Sequence, residues 1–378
     1  MAHYLYQHPN WTAFTWQAAA ISGLLGETRY LQGRLLGQVQ SLGFLPKTEK
    51  HLETLTVDIL QSSAIEGENL NYAQTRSSVA RRLGLEMAGL VPSARHIDGV
   101  VEMMLDATQS YQKPLTESRL FGWYASLFPT GYSGMFPIVV GQYRHEEMQI
   151  ISGAVGKEKV YYQAIPPKQI PAEMATFLQW FNQESDLDHV LKAAIAHLWF
   201  LSIHPFDDGN GRIARALSDV LLARSEHSSE RFYSFSKQIH AEKKQYYQAL
   251  QNAQHGDTDI TQWLQWFLTC LKHALQDTEI SLQSIVKKAE FWQQHRDTVI
   301  NERQRLIINR LFDSFSGNLT SSKWAKITKT SADTALRDIN DLIAKGILQK
   351  SDSGGRSAHY WWVGKANFLS QCINKGKC

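Results

Sequence analysis

The chain has 378 residues, of which 43% are hydrophobic and 20% are charged, so wholesale disorder and collagen-like structure are excluded. Its longest apolar stretch, residues 193–203, is 11 residues long and falls far short of the roughly 20 residues that span a bilayer. The three cysteines form no CxxC pair, and the first residues show no secretory signal. We therefore expect a cytoplasmic protein without disulfides and without a membrane association.

The charge is distributed unevenly along the chain, although the formal net charge is only +3. Residues 286–378 hold 16 basic and 8 acidic side chains, whereas the first 285 residues hold 23 basic and 28 acidic ones. A neutral-to-acidic body with a basic tail indicates a polyanionic partner for the tail alone.

The predicted elements are mainly helices. The segment 188–203 has apolar residues all round, so this helix is expected to be buried on all sides. Within 141–165, two short β-prone runs around a Gly-containing segment predict a hairpin. Apolar residues three and four positions apart predict the other helices, at 14–41, 48–66, 93–112, 116–128, 171–184 and 212–223, and a helical, aromatic-rich region over 237–275.

The last hundred residues form a separate unit in this interpretation. A helix near 302–314, a short helix and a third helix over 331–344 are followed by two β-prone runs around a Gly-rich turn. The third helix begins after the capping candidates Thr330 and Ser331 and ends at Gly346. This order resembles the winged helix-turn-helix of bacterial regulators, with 331–344 as the recognition helix.

The most specific string in the sequence is HPFDDGNGRIAR, residues 204–215, between two predicted helices. Glycines on both sides of Asn210 allow positive φ and let backbone N–H groups surround an anion at a helix N-terminus. Arg212 and Arg215 lie three residues apart on one face, where their charges oppose the helix dipole unless a polyanion lies between them. Asp208 is a hard oxygen ligand suited to Mg²⁺, and His204 is the one good general base. A tight turn with surface arginines explains any one of these residues, but not the whole string.

A second charge is misplaced at the end of the helix 48–66. There Glu66 adds a carboxylate to the negative end of a helix, four residues after Ser62 and just before Gly67. Glu66 and the two arginines would relieve one another if they met, and such local conflicts often mark functional sites. The alternative is that Glu66 is a solvated surface acid.

The string 204–215 resembles the signature HxFx[DE]GNGRxxR of Fic-domain proteins, with every fixed position present. Members with the complete motif are mostly protein adenylyltransferases, which transfer AMP from ATP to a Ser, Thr or Tyr hydroxyl of a target protein. The resemblance implies that His204 deprotonates the target hydroxyl and that Asp208 binds Mg²⁺. The phosphate contacts that it implies are Gly209, Asn210 and Gly211 for the α-phosphate, and Arg212 and Arg215 for the outer phosphates.

The segment from Ser62 to Gly67 resembles the family's inhibitory motif [ST]xxxE[GN], which implies that Glu66 pairs with Arg215 and blocks productive ATP placement. In some members the same glutamate supports removal of AMP from a modified target. The hairpin corresponds to the family's flap, which pairs with a target segment. Its candidates for that edge or for nucleotide contacts are Arg144, Ile150, Ile151, Ser152 and Gly153; candidates near the adenine and ribose are Tyr246, Tyr247 and, more weakly, Gln254.

We therefore predict a mainly α protein with an N-terminal helical region (1–110), a Fic core with a β-hairpin flap (111–280) and a winged helix-turn-helix (281–378). The predicted function is that of an ATP- and Mg²⁺-dependent protein adenylyltransferase inhibited by Glu66. The predicted partners are a target protein, a second copy in a homodimer and DNA at the winged helix. Self-modification is also predicted. One alternative is a DNA-binding transcriptional regulator with a nucleotide-sensing core. Another is transfer of a different group such as UMP, since nothing in 204–215 contacts the base.

Overall fold

The computed structural model describes residues 4–40, 44–86, 89–152, 159–313, 315, 317–351 and 359–363. The chain forms two compact units, residues 1–279 and 280–378. The further division of the chain near residue 110 stays a prediction. In the described part, no helix combines the length and the apolar character that crossing a bilayer requires.

The first unit is mainly helical, as predicted. Short 3₁₀ helices occur at Leu5–Gln7 and Pro167–Gln169. The α-helices that begin in this unit are α1 (Ala18–Gln40), α2 (Phe44–Ile65), α3 (Tyr72–Arg82), α4 (Arg95–Gln109), α5 (Glu117–Leu127), α6 (Ile170–Asn182), α7 (His189–Ile203), α8 (Asn210–Glu226), α9 (Phe235–Ala241), α10 (Lys243–Gln254) and α11 (Thr261–Gln294).

The helix α7 forms the centre of this unit. Every residue from Val190 to Ile203 is buried, which confirms the prediction of burial on all sides. The Asp188 side chain caps the helix by accepting the Val190 N–H at 2.8 Å. The next helix, α8, packs along α7. The loop 204–209 is therefore held between two well-packed helices, which is the rigid support that a functional site needs.

Two hairpins precede α6. The strands β3 (Gln149–Ser152) and β4 (Lys159–Gln163) pair antiparallel, with Ile150 opposite Tyr162, and confirm the hairpin predicted within 141–165. A shorter hairpin of β1 (Tyr132–Ser133) and β2 (Phe136–Pro137) was not predicted. The helix α3 was also not predicted, and the region 237–275 forms parts of three helices, with breaks at Glu242 and at 255–260.

The second unit contains α12 (Glu302–Asp313), α13 (Ser321–Thr328) and α14 (Ala332–Ala344), followed by the antiparallel strands β5 (Leu348–Lys350) and β6 (Tyr360–Trp362). Their order is the predicted one. The Ser331 side chain accepts the Thr334 N–H at 3.2 Å and so caps α14, while Gly346 has φ 70° just beyond its end. A core that includes Ile307, Trp324, Ile339, Leu342 and Leu348 holds the unit together. Its role as a winged helix stays a prediction.

Candidate active site

The loop 204–209 joins α7 to α8 through two residues with positive φ. His204 follows α7 with φ 52° and ψ 60°, and Gly209 precedes α8 with φ 75°. A non-glycine residue rarely adopts this conformation, so contacts around His204 must hold it there. At Gly209, a Cβ atom would lie 3.0 Å from side-chain carbons of both Leu127 and Phe128, so this position favours glycine on two counts.

The Asn210 side chain shapes this loop. Its Oδ1 accepts the Phe206 N–H at 3.0 Å, and its Nδ2 donates to the Phe206 carbonyl at 2.7 Å. Phe206 is fully buried and stacks on Tyr124, with ring centroids 4.4 Å apart. Both polar groups of the Asn210 side chain therefore have partners within the loop. What Asn210 can offer to a phosphate is its backbone N–H in the first turn of α8.

Arg215 is tied to the end of α2. Its side chain is only 1% exposed, and its Nη2 donates to Glu66 Oε1 at 2.7 Å and to the Ser62 carbonyl at 2.8 Å. Its Nε donates to Ser62 Oγ at 2.8 Å. Burial lowers the pKa of Arg215, but the facing Glu66 carboxylate more than offsets this and the pKa is raised. Arg215 is therefore a charged group held by both residues of the segment that the sequence singled out.

Glu66 also lies against the backbone of α8. A Cβ atom on Gly211 would be 2.1 Å from Glu66 Oε1, so the second residue of α8 must be glycine for the carboxylate to reach this position. The N-terminus of a helix carries partial positive charge and unpaired N–H groups, which favour an anion. The Glu66 carboxylate thus occupies a position in which a phosphate would be stabilised.

A second carboxylate covers the other arginine. Glu68 Oε2 accepts from Arg212 Nη1 at 2.6 Å, and the Arg212 side chain is 7% exposed. The Arg212 guanidinium also lies over the Phe128 ring, 5.1 Å from its centroid. Sequence reasoning missed Glu68. Gly67, with φ 86°, separates the two acids, and a glycine turn between two carboxylates was the available signal.

Each of the two arginines has one donor nitrogen without a hydrogen-bond acceptor. Arg212 Nε and Arg215 Nη1 are buried and have no hydrogen-bond partner among the residues that the structure describes. A buried donor without a partner costs free energy, so nearly all such groups in folded proteins are paired with protein, water or ligand. These two cationic donors could pair with an anionic ligand or with water next to the N-terminus of α8.

His204 is held in its neutral form. Burial and, next, the guanidinium of Arg144 lower the pKa of its imidazole to about 4, although the Glu66 and Asp208 carboxylates oppose this shift. The residue as a whole is half-buried. A neutral imidazole that solvent or substrate can reach is the form that accepts a proton.

Asp208 lies at the end of the loop, beside the short hairpin. Its Oδ1 accepts the Gly209 N–H at 2.6 Å, and its Oδ2 accepts from Ser133 Oγ. Within the described ranges, no group of three His, Cys, Asp or Glu side chains could hold a metal. One oriented carboxylate still fits Mg²⁺ if a nucleotide supplies phosphate oxygens, because Mg²⁺ usually needs only one or two protein carboxylates. The neighbouring Asp207 has its pKa raised by burial.

The aromatic pair on α10 is divided between core and surface. Tyr246 is 2% exposed and its hydroxyl lies 3.0 Å from His197 Nε2, which makes it a core residue rather than an open surface for a base. Tyr247 is 41% exposed, and its hydroxyl donates to the Ile65 carbonyl at 3.4 Å. Gln254 is also buried and donates to the Leu201 carbonyl at 3.2 Å. Of these three candidates, only Tyr247 has a ring that is exposed to a ligand. Its hydroxyl also contacts the segment 62–67 at the end of α2.

His197 gives the fold a measurable pH dependence. It is fully buried between Ser218 and Tyr246, and burial lowers its pKa to about 3. Below pH 6.5 the unfolded chain binds a proton here that the folded protein does not, so stability falls with falling pH. From pH 7 to pH 5 we expect His197 alone to cost about 2 kcal/mol in unfolding free energy.

Urea denaturation at pH 7 and pH 5 tests this expectation, with His197→Gln beside the exposed control His96→Gln. The His197 variant should lose less stability between the two pH values than the wild type, whatever its stability at pH 7. An unchanged pH dependence in His197→Gln would contradict a neutral His197.

The flap candidates lie on one edge of a two-stranded sheet. β3 pairs with β4, and in the described part of the chain its other edge has no strand partner. Ile151 on this strand is 55% exposed, whereas Ile150 is half-buried. Ser152 ends the strand, and Gly153 lies outside the described residues. An unpaired edge with an exposed apolar side chain is suited to pairing with an extended segment of another protein.

Polar contacts also hold the helix α2 in place. Asp58 Oδ1 accepts from Ser234 Oγ at 2.5 Å and from the Ser236 N–H at 3.1 Å, and all three residues are buried. Seven residues earlier, about two helical turns, His51 Nδ1 accepts the Arg231 N–H at 3.0 Å. The segment 231–236 therefore sets the position of α2, and with it the position of Glu66.

The site thus consists of a histidine with positive φ, a glycine-containing loop and a helix N-terminus with two arginines. Comparison with known families gives a matching result. Residues 114–222 match the Fic/DOC family. Residues 4–85 match a domain of unknown function, DUF4172.

Individual relatives are distant. The protein adenylyltransferase fic-1 of Caenorhabditis briggsae is 30% identical over 180 residues, 46% of this chain and 32% of the relative. The protein adenylyltransferase Fic of Drosophila melanogaster is 27% identical over 308 residues, 74% of this chain and 55% of the relative. The chain thus spans between a third and about half of these relatives. A solved Fic family protein from Desulfovibrio desulfuricans G20 shares the fold, with a TM-score of 0.51 at 21% identity over 91% of this chain and 96% of that one.

Proposed function

We propose that this protein is a protein adenylyltransferase that transfers AMP from ATP to a Ser, Thr or Tyr hydroxyl of a target protein. The single observation that carries the proposal is the pair of buried, partnerless donors on Arg212 and Arg215 beside a neutral His204. Cationic donors at a helix N-terminus bind phosphates, and a neutral imidazole accepts a hydroxyl proton. The names of the curated relatives support the same activity.

In this mechanism the target hydroxyl oxygen attacks the α-phosphorus of ATP while His204 takes the hydroxyl proton. A new bond forms between that oxygen and the α-phosphorus, the bond to the β-phosphate oxygen breaks, and pyrophosphate leaves. The N–H groups of the first turn of α8 would hold the α-phosphate, and Arg212 and Arg215 would hold the outer phosphates. Positioning and charge neutralisation supply most of the rate in such transfers.

Asp208 would hold Mg²⁺ together with the nucleotide's own phosphate oxygens. When bound, the ion neutralises charge on the phosphates and on the leaving pyrophosphate. Ser133 donates to the Asp208 carboxylate, and this contact fixes the orientation of that carboxylate.

The protein as described would be autoinhibited. ATP can place its outer phosphates on Arg215 only if Glu66 withdraws, because the Glu66 carboxylate lies 2.7 Å from Arg215 Nη2 and against Gly211. Ser62 strengthens this inhibition by holding Arg215 through both its hydroxyl and its carbonyl. Removal of AMP from a modified target stays a prediction for the same glutamate.

The target would dock as an extended segment along β3, with Ile151 next to the residue that is modified. Self-modification, a homodimer, a DNA contact of the second unit and a cytoplasmic location stay predictions from the sequence. No observation in the structure favours the transcriptional regulator over the transferase.

The test is transfer of label from α-labelled ATP to proteins of a cell lysate. We expect labelled bands with the Glu66→Gly protein, no label from γ-labelled ATP, and no bands once His204 is replaced. Label from γ-labelled ATP would indicate a kinase, and stronger labelling with α-labelled UTP would indicate UMP transfer. Absence of any label from Glu66→Gly with ATP or UTP would contradict the proposed function.

Glu68 gives an independent prediction for the same site. Replacing Glu68 with alanine frees Arg212 from its ion pair, so ATP should bind about three- to fivefold more tightly, which is the effect of a partly exposed pair worth up to about 1 kcal/mol. Calorimetric titration with ATP and Mg²⁺ measures the affinity. Glu49→Ala is the matched control, because it removes an ion pair from α2, with Arg76, on a more exposed part of the helix. Weaker ATP binding in Glu68→Ala would instead make Glu68 part of the binding site.

A further inference from the structure

Arg144 is a buried cation held by four backbone contacts. The residue is 2% exposed and lies shortly before β3. Its Nε donates to the His204 carbonyl at 2.8 Å, its Nη1 to the Glu146 carbonyl at 2.7 Å, and its Nη2 to the Ile165 carbonyl at 2.5 Å. Its own backbone N–H donates to the Pro205 carbonyl at 2.9 Å.

These carbonyls belong to two parts of the chain, the loop 204–209 and the β3–β4 hairpin. His204 and Pro205 are the first residues of the loop, whereas Glu146 and Ile165 lie just before β3 and just after β4. One side chain therefore fastens both ends of the β3–β4 hairpin to the backbone of the proposed catalytic base. The contacts also explain how a non-glycine residue keeps a positive φ at position 204, since the His204 carbonyl is fixed by the guanidinium.

Burying the Arg144 guanidinium costs free energy, which argues that this residue has a functional role. Burial lowers the pKa of the Arg144 guanidinium, and the carboxylates of Glu147 and Asp207 offset this only in part. A buried charge that is only partly compensated is expensive even when it is hydrogen-bonded. Conflicts of this kind with ordinary folding rules are expected at functional sites.

We propose that Arg144 is a positioning residue for the transfer reaction, which sets the backbone of His204 and binds the target-docking hairpin to it as one unit. This inference rests on the proposed function of His204. It also corrects the sequence-based expectation for Arg144, because a side chain that is buried and fully engaged with carbonyls offers nothing to a nucleotide or to a strand edge.

The charge of Arg144 has a second effect on His204. The charged groups that act on this imidazole are Arg144, Glu66 and Asp208, and only Arg144 lowers its pKa. Without that charge, the pKa of His204 rises, although burial, the largest cause of its low value, still holds it below the ordinary one. This shift can be measured in the protein without nucleotide and does not depend on the transfer activity.

The experiment compares Arg144→Met and Arg144→Lys with the matched control Tyr162→Phe. The Tyr162 hydroxyl donates to the Ser202 carbonyl at 2.7 Å, so this control loosens the hairpin from α7 without changing the charge near His204. The imidazole is titrated by NMR in an otherwise wild-type chain, and its signal is assigned by its loss in His204→Gln. Transfer kinetics are measured in the Glu66→Gly background.

In Arg144→Met we expect the His204 titration midpoint to move up from about 4, while burial keeps it below the ordinary value of about 6.5. We also expect kcat to fall by roughly 100-fold, the size expected for a misplaced catalytic group, with KM for ATP nearly unchanged. Arg144→Lys should keep the low midpoint but lose part of kcat, because an ammonium group cannot bind three carbonyls in a fixed plane. Tyr162→Phe should keep both the low midpoint and most of kcat.

Two results would overturn the proposal. One is an unchanged His204 midpoint in a folded Arg144→Met protein; the other is a loss confined to KM for ATP, which would make Arg144 a nucleotide contact. If Arg144→Met does not fold, Arg144→Lys provides the test. A wild-type kcat in Arg144→Lys would refute the positioning role. If no variant, including Glu66→Gly alone, transfers AMP, the proposed function fails, while the titration still shows whether Arg144 controls His204.

Discussion

Replacing His204 with alanine in the Glu66→Gly background is expected to lower the rate of AMP transfer by roughly 10²- to 10⁴-fold, the usual contribution of a general base. The affinity for ATP should change by less than about threefold, because the phosphate contacts come from α8 rather than from the imidazole. Single-turnover transfer from α-labelled ATP measures the rate, and calorimetry measures the affinity.

The control for this substitution is His96→Ala, an exposed histidine in α4. It should leave both quantities unchanged. If His204→Ala retained more than about a tenth of the rate, water or another residue would be taking the proton and the role of His204 would be wrong. If it lost ATP binding instead, His204 would be a binding residue rather than the base.

Replacing Glu66 with glycine is expected to raise both ATP affinity and transfer. The Glu66 carboxylate makes a charge-assisted hydrogen bond with a buried arginine, so its removal should favour ATP by about 1.5–3 kcal/mol, or roughly 10- to 100-fold. Glu66→Gln keeps the size of the side chain but removes its charge and should give an intermediate gain. Titration with ATP and the rate of labelling provide two independent measurements.

A mutation elsewhere in α2 distinguishes the loss of the Glu66 carboxylate from a general weakening of the contacts that hold α2. Glu49→Ala removes the ion pair with Arg76 and should give no gain in labelling. Equal gains from Glu49→Ala and Glu66→Gly would mean that any weakening of α2 activates the protein. No gain from Glu66→Gly would remove the gating role altogether.

The sequence allowed the loop to be predicted because its chemistry is local. His204, Asp208 and the two arginines lie within 12 residues of one another, and Gly209 among them has a positive φ, as expected, whereas Gly211 is helical. The pairing of Glu66 with Arg215 joins residues 149 positions apart, and it was predicted from the resemblance to the family's inhibitory motif together with two misplaced helix charges. Charge conflicts therefore carried information over a long distance in the chain.

Other features could not be predicted, for physical reasons. The helix α3 buries Thr75, Ser77 and Ser78 rather than an apolar stripe, so hydrophobic periodicity does not reveal it. Tyr246 and Tyr247 look alike in sequence, yet a helix turns by about 100° per residue and sends one inward and the other outward. From the sequence alone, Arg144 is expected to be a surface cation, because its acceptors are backbone carbonyls, which cannot be recognised from residue types.

The docking of α2 on the segment 231–236 has a consequence for how the protein could respond to its surroundings. Under the proposed function, the end of α2 would act as a tethered competitor of ATP, whose strength depends on the fraction of molecules in which the helix is docked. A ligand that pulled on His51 or Asp58 would release the competitor from a distance, without touching a phosphate contact. The apparent ATP affinity would then rise by the inverse of the undocked fraction, so a weak remote ligand could produce a large gain in activity.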